Sequence, residues 1–183
     1  MAELDTRTTL APPPPPHGQR VLAHVIAMLT LPSGLWRVAF VIGLPVTAAG
    51  GLAMLTTMER IQLVGLSLFV EVLALLALGL VQRWGEVVPG WVPVLRGRAV
   101  PRLVATVPAM LGALALTYMW SLAAVRFVDQ VGDGSLDWMW PETWQKALLV
   151  VCYLPLLAWG PLLAVLTVGY HRRRGRQHAP ITR

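Results

Sequence analysis

Four stretches of this chain are each long and apolar enough to cross a lipid bilayer once, and this constrains the fold more than any other feature. A hydrocarbon core about 30 Å thick takes about 20 apolar residues of α-helix at 1.5 Å per residue. The stretches run from about Leu35 to Thr57 (LWRVAFVIGLPVTAAGGLAMLTT), Ile61 to Val81 (IQLVGLSLFVEVLALLALGLV), Leu103 to Val128 (LVATVPAMLGALALTYMWSLAAVRFV) and Ala147 to Tyr170 (ALLVVCYLPLLAWGPLLAVLTVGY). Each is long enough to cross once and none long enough to cross twice. Hydrocarbon offers backbone N–H and C=O groups no water, so such segments span as helices. The expected fold is all-α: a polytopic membrane protein with four transmembrane helices in an antiparallel bundle.

Composition points the same way. Of 183 residues, 56% are hydrophobic and 13% charged, where a soluble domain carries about 25% charged residues. That excludes disorder of the whole chain and argues against a water-soluble globule. Fifteen cations against nine acids leave a net charge of +6. A basic balance can signal nucleic-acid binding, but in so apolar a chain it is first a statement about membrane topology, and no nucleic-acid partner is expected.

Residues 1–19 read as a disordered, Pro-rich tail. Glu3, Asp5 and Arg7 precede the run Pro12–Pro16, which favours an extended polyproline II rod, and the pattern of a secretory signal is missing. The segment VLAHVIAMLTL, Val21 to Leu31, is too short for a span and is closed by Pro32-Ser33-Gly34. It is expected to lie as a short N-terminal interfacial helix with Arg20 and His24 toward water. A first span continuing through a kink is the alternative. The bundle then occupies residues 20–171, and a basic tail, 172–183, follows.

Four spans put both termini on one side. With these boundaries that side holds twelve cations: Arg7, Arg20, Arg37, Arg83, Arg96, Arg98, Arg102, Arg172, Arg173, Arg174, Arg176 and Arg183. The other side holds three, Arg60, Arg126 and Lys146, with Glu59, Asp129, Asp133, Asp137 and Glu142. Cytoplasmic loops are enriched in Lys and Arg, so both termini are expected in the cytoplasm of a bacterial cell, with the bundle in its plasma membrane. Trp36, Trp84 and Trp91 are expected at the inner interface and Trp138, Trp140 and Trp144 at the outer one.

Pro45, Pro108, Pro155 and Pro161 fall within spans and predict kinks, with the fourth span the least regular. Small residues repeat at four-residue spacing in Ala49-x-x-x-Ala53, Ala105-x-x-x-Ala109-x-x-x-Ala113 and Gly160-x-x-x-Ala164. Such stripes let helices approach closely, inside one bundle or between copies. A homo-oligomer or a membrane-protein partner is compatible with them.

Glu71 stands near the middle of the second span, where a carboxyl costs about 2.5–3.5 kcal/mol and its charged form is disfavoured. Such a group faces the bundle interior or a cavity. Thr47, Ser67, Tyr118 and Trp159 are its candidate polar neighbours at comparable depth. Arg37 and Arg126 are expected to snorkel outward from the span ends. Two readings stand for this site: a structural interhelical hydrogen bond, or a proton-carrying or cation-binding carboxyl.

The loop QRWGEVVPGWVPVLRGRAVPR interleaves Trp84 and Trp91 with Arg83, Arg96, Arg98 and Arg102. That pattern suits anionic lipid headgroups at the cytoplasmic face, or simply fixes topology. No catalytic, cofactor or metal set emerges. Cys152 is the single cysteine, the histidines at 17, 24, 171 and 178 lack ligand spacing, and no nucleophile-elbow, zinc-protease or phosphate-loop motif is present.

The segments LWRVAFVIGLP, VQRWGEVVPGWVPVLRGRAVP and CYLPLLAWGPLLAV together resemble a group of small actinobacterial membrane proteins with four spans. The resemblance covers most of residues 34–174. It implies the bundle and carries no activity or site residue with it. The functional expectation is an integral plasma-membrane protein acting as a non-enzymatic scaffold or accessory subunit. The alternatives are a proton-coupled transporter or ligand-binding protein using Glu71, and a lipid-handling enzyme.

Overall fold

A computed structural model describes residues 15–48, 53, 55–82 and 101–176. It is all-helical among these residues: α1 (His17–Val41), α2 (Thr57–Gly79), α3 (Arg102–Gly132), α4 (Thr143–Tyr153) and α5 (Leu156–Arg176). Four helical stretches are long and apolar enough to span a membrane, α4 and α5 together forming the fourth.

The largest departure from expectation is at the first span. Residues 21–31 are not a separate interfacial helix, and the spanning helix does not run from 35 to 57. α1 starts directly behind the proline run, with the Pro16 carbonyl accepting from the Gln19 and Arg20 amides at 3.0 and 3.3 Å, and continues through Pro32. Hydroxyls bracket the proline: Thr30 Oγ1 donates to the Ala27 carbonyl at 3.0 Å and Ser33 Oγ to that of Thr30 at 2.8 Å. The carbonyl that Pro32 leaves without its amide is that of Met28, which neither hydroxyl reaches; membrane helices nonetheless tolerate proline among packed neighbours. The true stop comes later. Gly43 adopts φ +83°, its amide donates to the Phe40 carbonyl at 3.0 Å, and Leu44 donates to Ala39 at 2.9 Å. That pair of bonds is the Schellman motif, and Pro45 then forbids continuation.

The other boundaries are close to expectation. α2 opens on a reciprocal cap in which Glu59 Oε2 accepts from the Thr56 amide at 2.7 Å and Thr56 Oγ1 accepts from the Glu59 amide at 3.3 Å. Pro108 and Pro161 lie inside helices, whereas Pro155 separates α4 from α5. At that break the amides of Leu157 and Ala158 donate to Leu154 and Pro155 at 3.1 Å each, a tighter turn than α-helix.

The helices alternate up and down. Gln19, Leu80, Arg102 and Arg173 share one end of the bundle, the terminal end: Arg173 Nη2 donates to the Leu80 carbonyl at 3.0 Å and its Nη1 to the Gln19 side chain. Residues 42–48 and 55–56, with the connection 133–142, form the other, the loop end. They are joined there by the Ala48 amide donating to the Met139 carbonyl at 2.7 Å and by Gln145. The buried Gln145 amide donates to the carbonyls of Thr47 and Pro45 at 2.9 and 3.2 Å, while its oxygen accepts from the Glu142 amide at 3.3 Å.

Side by side the order is α2, α1, α5, α3. The tightest seam is between α3 and α5, where a Cβ placed on Gly160 would come within 2.6 Å of the Thr117 amide and 2.7 Å of the Ala113 carbonyl. Ala105, Ala109 and Ala164 flank this seam in the main core cluster. Two of the small-residue stripes therefore serve packing within one chain. Ala49 of the third stripe lies outside the described residues, and Ala53 is in a turn rather than a helix. The main core gathers Ile26, Ala74, Leu156, Trp159, Leu166 and Tyr170; a second cluster at the loop end is built on Trp36, Phe40 and Val46.

Candidate functional site

Glu71 is half-buried and faces α1, where Thr30 Oγ1 donates to its Oε2 at 3.0 Å. A Cβ on Gly34 would come within 2.8 Å of its Oε1, so the bare backbone of Gly34 is what lets the carboxyl lie across α1. The same Thr30 proton is within reach of the Ala27 carbonyl, and a hydroxyl has only one to give. The carboxyl thus ties the proline-containing middle of α1 to the middle of α2.

None of the neighbours expected from the sequence is Glu71's hydrogen-bond partner. Thr47 is at the loop end, held through its carbonyl by Gln145. Ser67 donates to Leu63 in its own helix at 2.8 Å. Tyr118 is 72% exposed on the outer surface of α3, and Trp159 of α5 is sealed in the core. The cause is register. With the first span set at 35–57, Thr47 falls at mid-depth; with α1 at 17–41, Thr30 does.

Of the arginines proposed to meet anionic headgroups, Arg83, Arg96 and Arg98 lie outside the described residues. Arg102 is exposed at the first position of α3, where a Cβ on Gly175 would lie 3.1 Å from its Nη1. The acids at the loop end are not gathered: Asp137 pairs with Lys146, and Asp133 Oδ1 accepts from the Ser135 amide at 2.8 Å. No group of three potential metal ligands occurs among the described residues.

A second feature is a cleft of about 680 Å³ at the loop end, within the 300–1,000 Å³ typical of ligand sites. It exists because α2 and α3 flank the bundle without packing extensively on each other. Near the terminal end Val70, Ala74 and Ala77 of α2 share the core with Ala113 of α3. Toward the loop end the two helices leave a gap walled by Leu63 of α2 and Trp120, Ala124 and Phe127 of α3. Its remaining lining includes Trp36, Phe40, Leu149, Tyr153 and Trp140, with Thr47 and Glu59 at the rim. Aromatic packing fixes this surface: Trp36 lies 5.8 Å from Phe40, stacked, and 5.6 Å from Tyr153, edge-on, centroid to centroid. Trp120 tilts against Tyr153 at 6.0 Å.

Behind the cleft wall lies a set of buried donors. Arg37, only 5% exposed, lies behind Tyr153; its Nε donates to Tyr153 Oη at 3.2 Å and its guanidinium carbon sits 5.4 Å from the ring centroid. Arg37 Nη1 has no partner, and no carboxylate pairs with it among the described residues. Far from snorkelling, it is a buried cation near the floor of an apolar cleft. The Nε1 atoms of Trp36, Trp120 and Trp140 are likewise buried without acceptors. Each such orphan costs about 1–3 kcal/mol if it stays unsatisfied. Tyr153 Oη accepts from Arg37, and its own proton has no acceptor among the described residues. The arrangement can bind an acceptor-bearing apolar molecule.

Sequence reading missed Arg37, Tyr153 and the cleft. The signal that locates them is Gly43-Leu44-Pro45, the helix stop that sets the register of α1 and carries Trp36 and Arg37 to the loop end. Comparison with family models, with curated proteins and with solved structures gives no match to this chain.

Proposed function

We propose that this is a non-enzymatic protein of the bacterial plasma membrane, both termini cytoplasmic, whose accessory role is to admit a lipid chain sideways from the bilayer into the cleft between α2 and α3. The observation that carries the reading is the cleft itself: an apolar space of ligand size between two helices that face the hydrocarbon on their outer sides. The chemistry around it supports binding over turnover, because aromatic faces and N–H donors hold a molecule without transforming it. The crowd of arginines at the terminal end supports cytoplasmic termini. Glu71 does not line the cleft, and its contacts with Thr30 and Gly34 suit a structural tie better than a carrier site.

The test is lipid retention. Native mass spectrometry of the full chain from mild detergent should find a lipid bound to the wild type, and Ala124→Phe, which fills the cleft from α3, should lose it. Equal retention by both proteins refutes the reading.

A further inference from the structure

Resting on that reading, we infer that the lipid is anionic, and that its headgroup or ester oxygens accept the Tyr153 hydroxyl proton while Arg37 supplies the selectivity for charge. Three observations converge on this. The first is the balance of donors and acceptors. Tyr153 brings a hydroxyl hydrogen to the cleft lining, while the Nε1 atoms of Trp36, Trp120 and Trp140 are buried behind it, and the two polar side chains at its rim already make bonds of their own. Glu59 Oε2 accepts from the Thr56 amide and hydroxyl at 2.7 and 2.8 Å, and Thr47 Oγ1 points to the Ala48 carbonyl at 3.5 Å. The occupant must therefore supply the acceptors.

The second is charge. Tyr153 and Glu59 are the titratable residues that line the cleft, with Arg37 against Tyr153 and Cys152 in the cluster behind it, and Glu59, capping its own helix at the rim, is the acid among them that offsets the guanidinium. A buried cation without a paired carboxylate favours an anion, and an arginine that donates to a phenol makes that phenol a stronger donor in turn. The third is depth. Arg37 lies four residues before the end of α1, about 6 Å along the axis, and a bilayer about 30 Å thick centred on this 25-residue helix would put it near the level where headgroup and ester oxygens meet hydrocarbon. The apolar remainder of the cleft continues below that level, as an acyl chain would. Tyr153 is the contact in this arrangement. Arg37, behind it, is a positioning residue.

The experiment uses the full chain reconstituted in phosphatidylcholine vesicles containing either brominated phosphatidylglycerol or brominated phosphatidylcholine, with tryptophan emission as readout. Trp36→Phe with Trp120→Phe defines the share of quenching that comes from the cleft. For that share, the anionic probe is expected to win by about fivefold at equal mole fraction. Arg37→Gln and Tyr153→Phe should each bring the two probes to parity, and Arg37→Lys should restore part of the preference, which a merely structural arginine would not do. Circular dichroism checks that each variant is folded, and Tyr153→Phe alone decides the matter if Arg37→Gln is not. Cleft-dependent quenching that is equal for both lipids overturns the anionic assignment and leaves the lipid cleft standing. Quenching by neither probe overturns both, as does a cross-linked second copy or partner helix occupying the cleft.

Discussion

Gly160→Ala isolates the seam that holds the bundle together. The added Cβ would stand 2.6 Å from the Thr117 amide nitrogen and 2.7 Å from the Ala113 carbonyl oxygen, both backbone atoms of α3 that no rotamer change can move. Ordinary contact begins at 3.4 Å, so α3 and α5 must separate by roughly the 0.8 Å difference. The separation also loosens the fully buried Trp159 and Leu156 beside it. Overpacking of this kind costs about 1–3 kcal/mol, and alanine's better helix propensity returns about 0.5–1 kcal/mol of it. A net loss of about 1–2 kcal/mol is expected. The assay is denaturant titration in mixed micelles, followed by far-UV circular dichroism and by tryptophan emission. Gly112→Ala is the control, because a Cβ there meets no atom within 4 Å; it should be neutral or slightly stabilising. If Gly160→Ala unfolds at the same midpoint as Gly112→Ala, the close approach of α3 and α5 is not what the packing argument requires.

Four further outcomes are expected. Glu71→Gln should cost no more than about 0.6 kcal/mol, the average for interhelical hydrogen bonds in membranes, because the amide can donate to Thr30 while Thr30 donates to Ala27; a loss of several kcal/mol in the same titration would mean that the charge itself is recognised. Gln145→Leu strands the buried carbonyl of Thr47, frees that of Pro45 and should destabilise the loop end by about 1–3 kcal/mol, seen as faster hydrogen exchange at the Ala48 amide. Hydrogen bonds from the Ser135 side chain and amide hold the Asp133 carboxyl below its ordinary value. Its contribution to the end of α3 is therefore complete above the unfolded carboxylate range and fades as pH falls through the lowered one; carboxyl titration by NMR should show Asp133 rising toward its ordinary value in Ser135→Ala. A fluorescent reporter fused after Arg176 should light up in the cytoplasm, and a periplasm-dependent phosphatase at the same place should stay silent.

The fold class was legible because the hydrophobic stretches are long compared with any boundary error. Three spans sit within a few residues of where their apolar runs place them, and the break at Pro155 falls in the span expected to be least regular. The first span was not legible in register, for a physical reason. Pro32-Ser33-Gly34 is a terminator in water, where a proline leaves a carbonyl without its amide partner. In α1 the segment is buried against neighbouring helices, with Thr30 and Ser33 fully enclosed, and the helix runs on through the proline. Gly43-Leu44-Pro45, which does end the helix, is the stronger stop because it combines a left-handed glycine with a proline after it. The Glu71 site was half legible. An acid in the middle of an apolar span has to face inward, but the identity of its partner depends on the register of a different helix.

That one register shift changes what the charges mean. Counted with a span at 35–57, Arg37 and Trp36 belong to the terminal side of the protein, an arginine among twelve and a tryptophan of the interfacial belt. With α1 at 17–41 they belong to the loop end, where arginines are few and acids are many. The asymmetry behind the topology survives the loss of one cation, since Arg20, Arg102 and Arg172–Arg174 still sit at the terminal end. What Arg37 gains is isolation. An arginine at a span end ordinarily reaches water along its flexible stem, yet here it is packed under Tyr153 and the loop-end cluster, 5% exposed. A cation held in that position is unfavourable for folding alone, because hydrophobic residues of similar size would pack there without the desolvation cost. It becomes favourable once an anion shares the site. Replacing Arg37 with Met should therefore leave the empty protein as stable as before or more so, and abolish the stabilisation that anionic lipid confers. Loss of stability without lipid, and an unchanged response to lipid, would show instead that the guanidinium serves the fold.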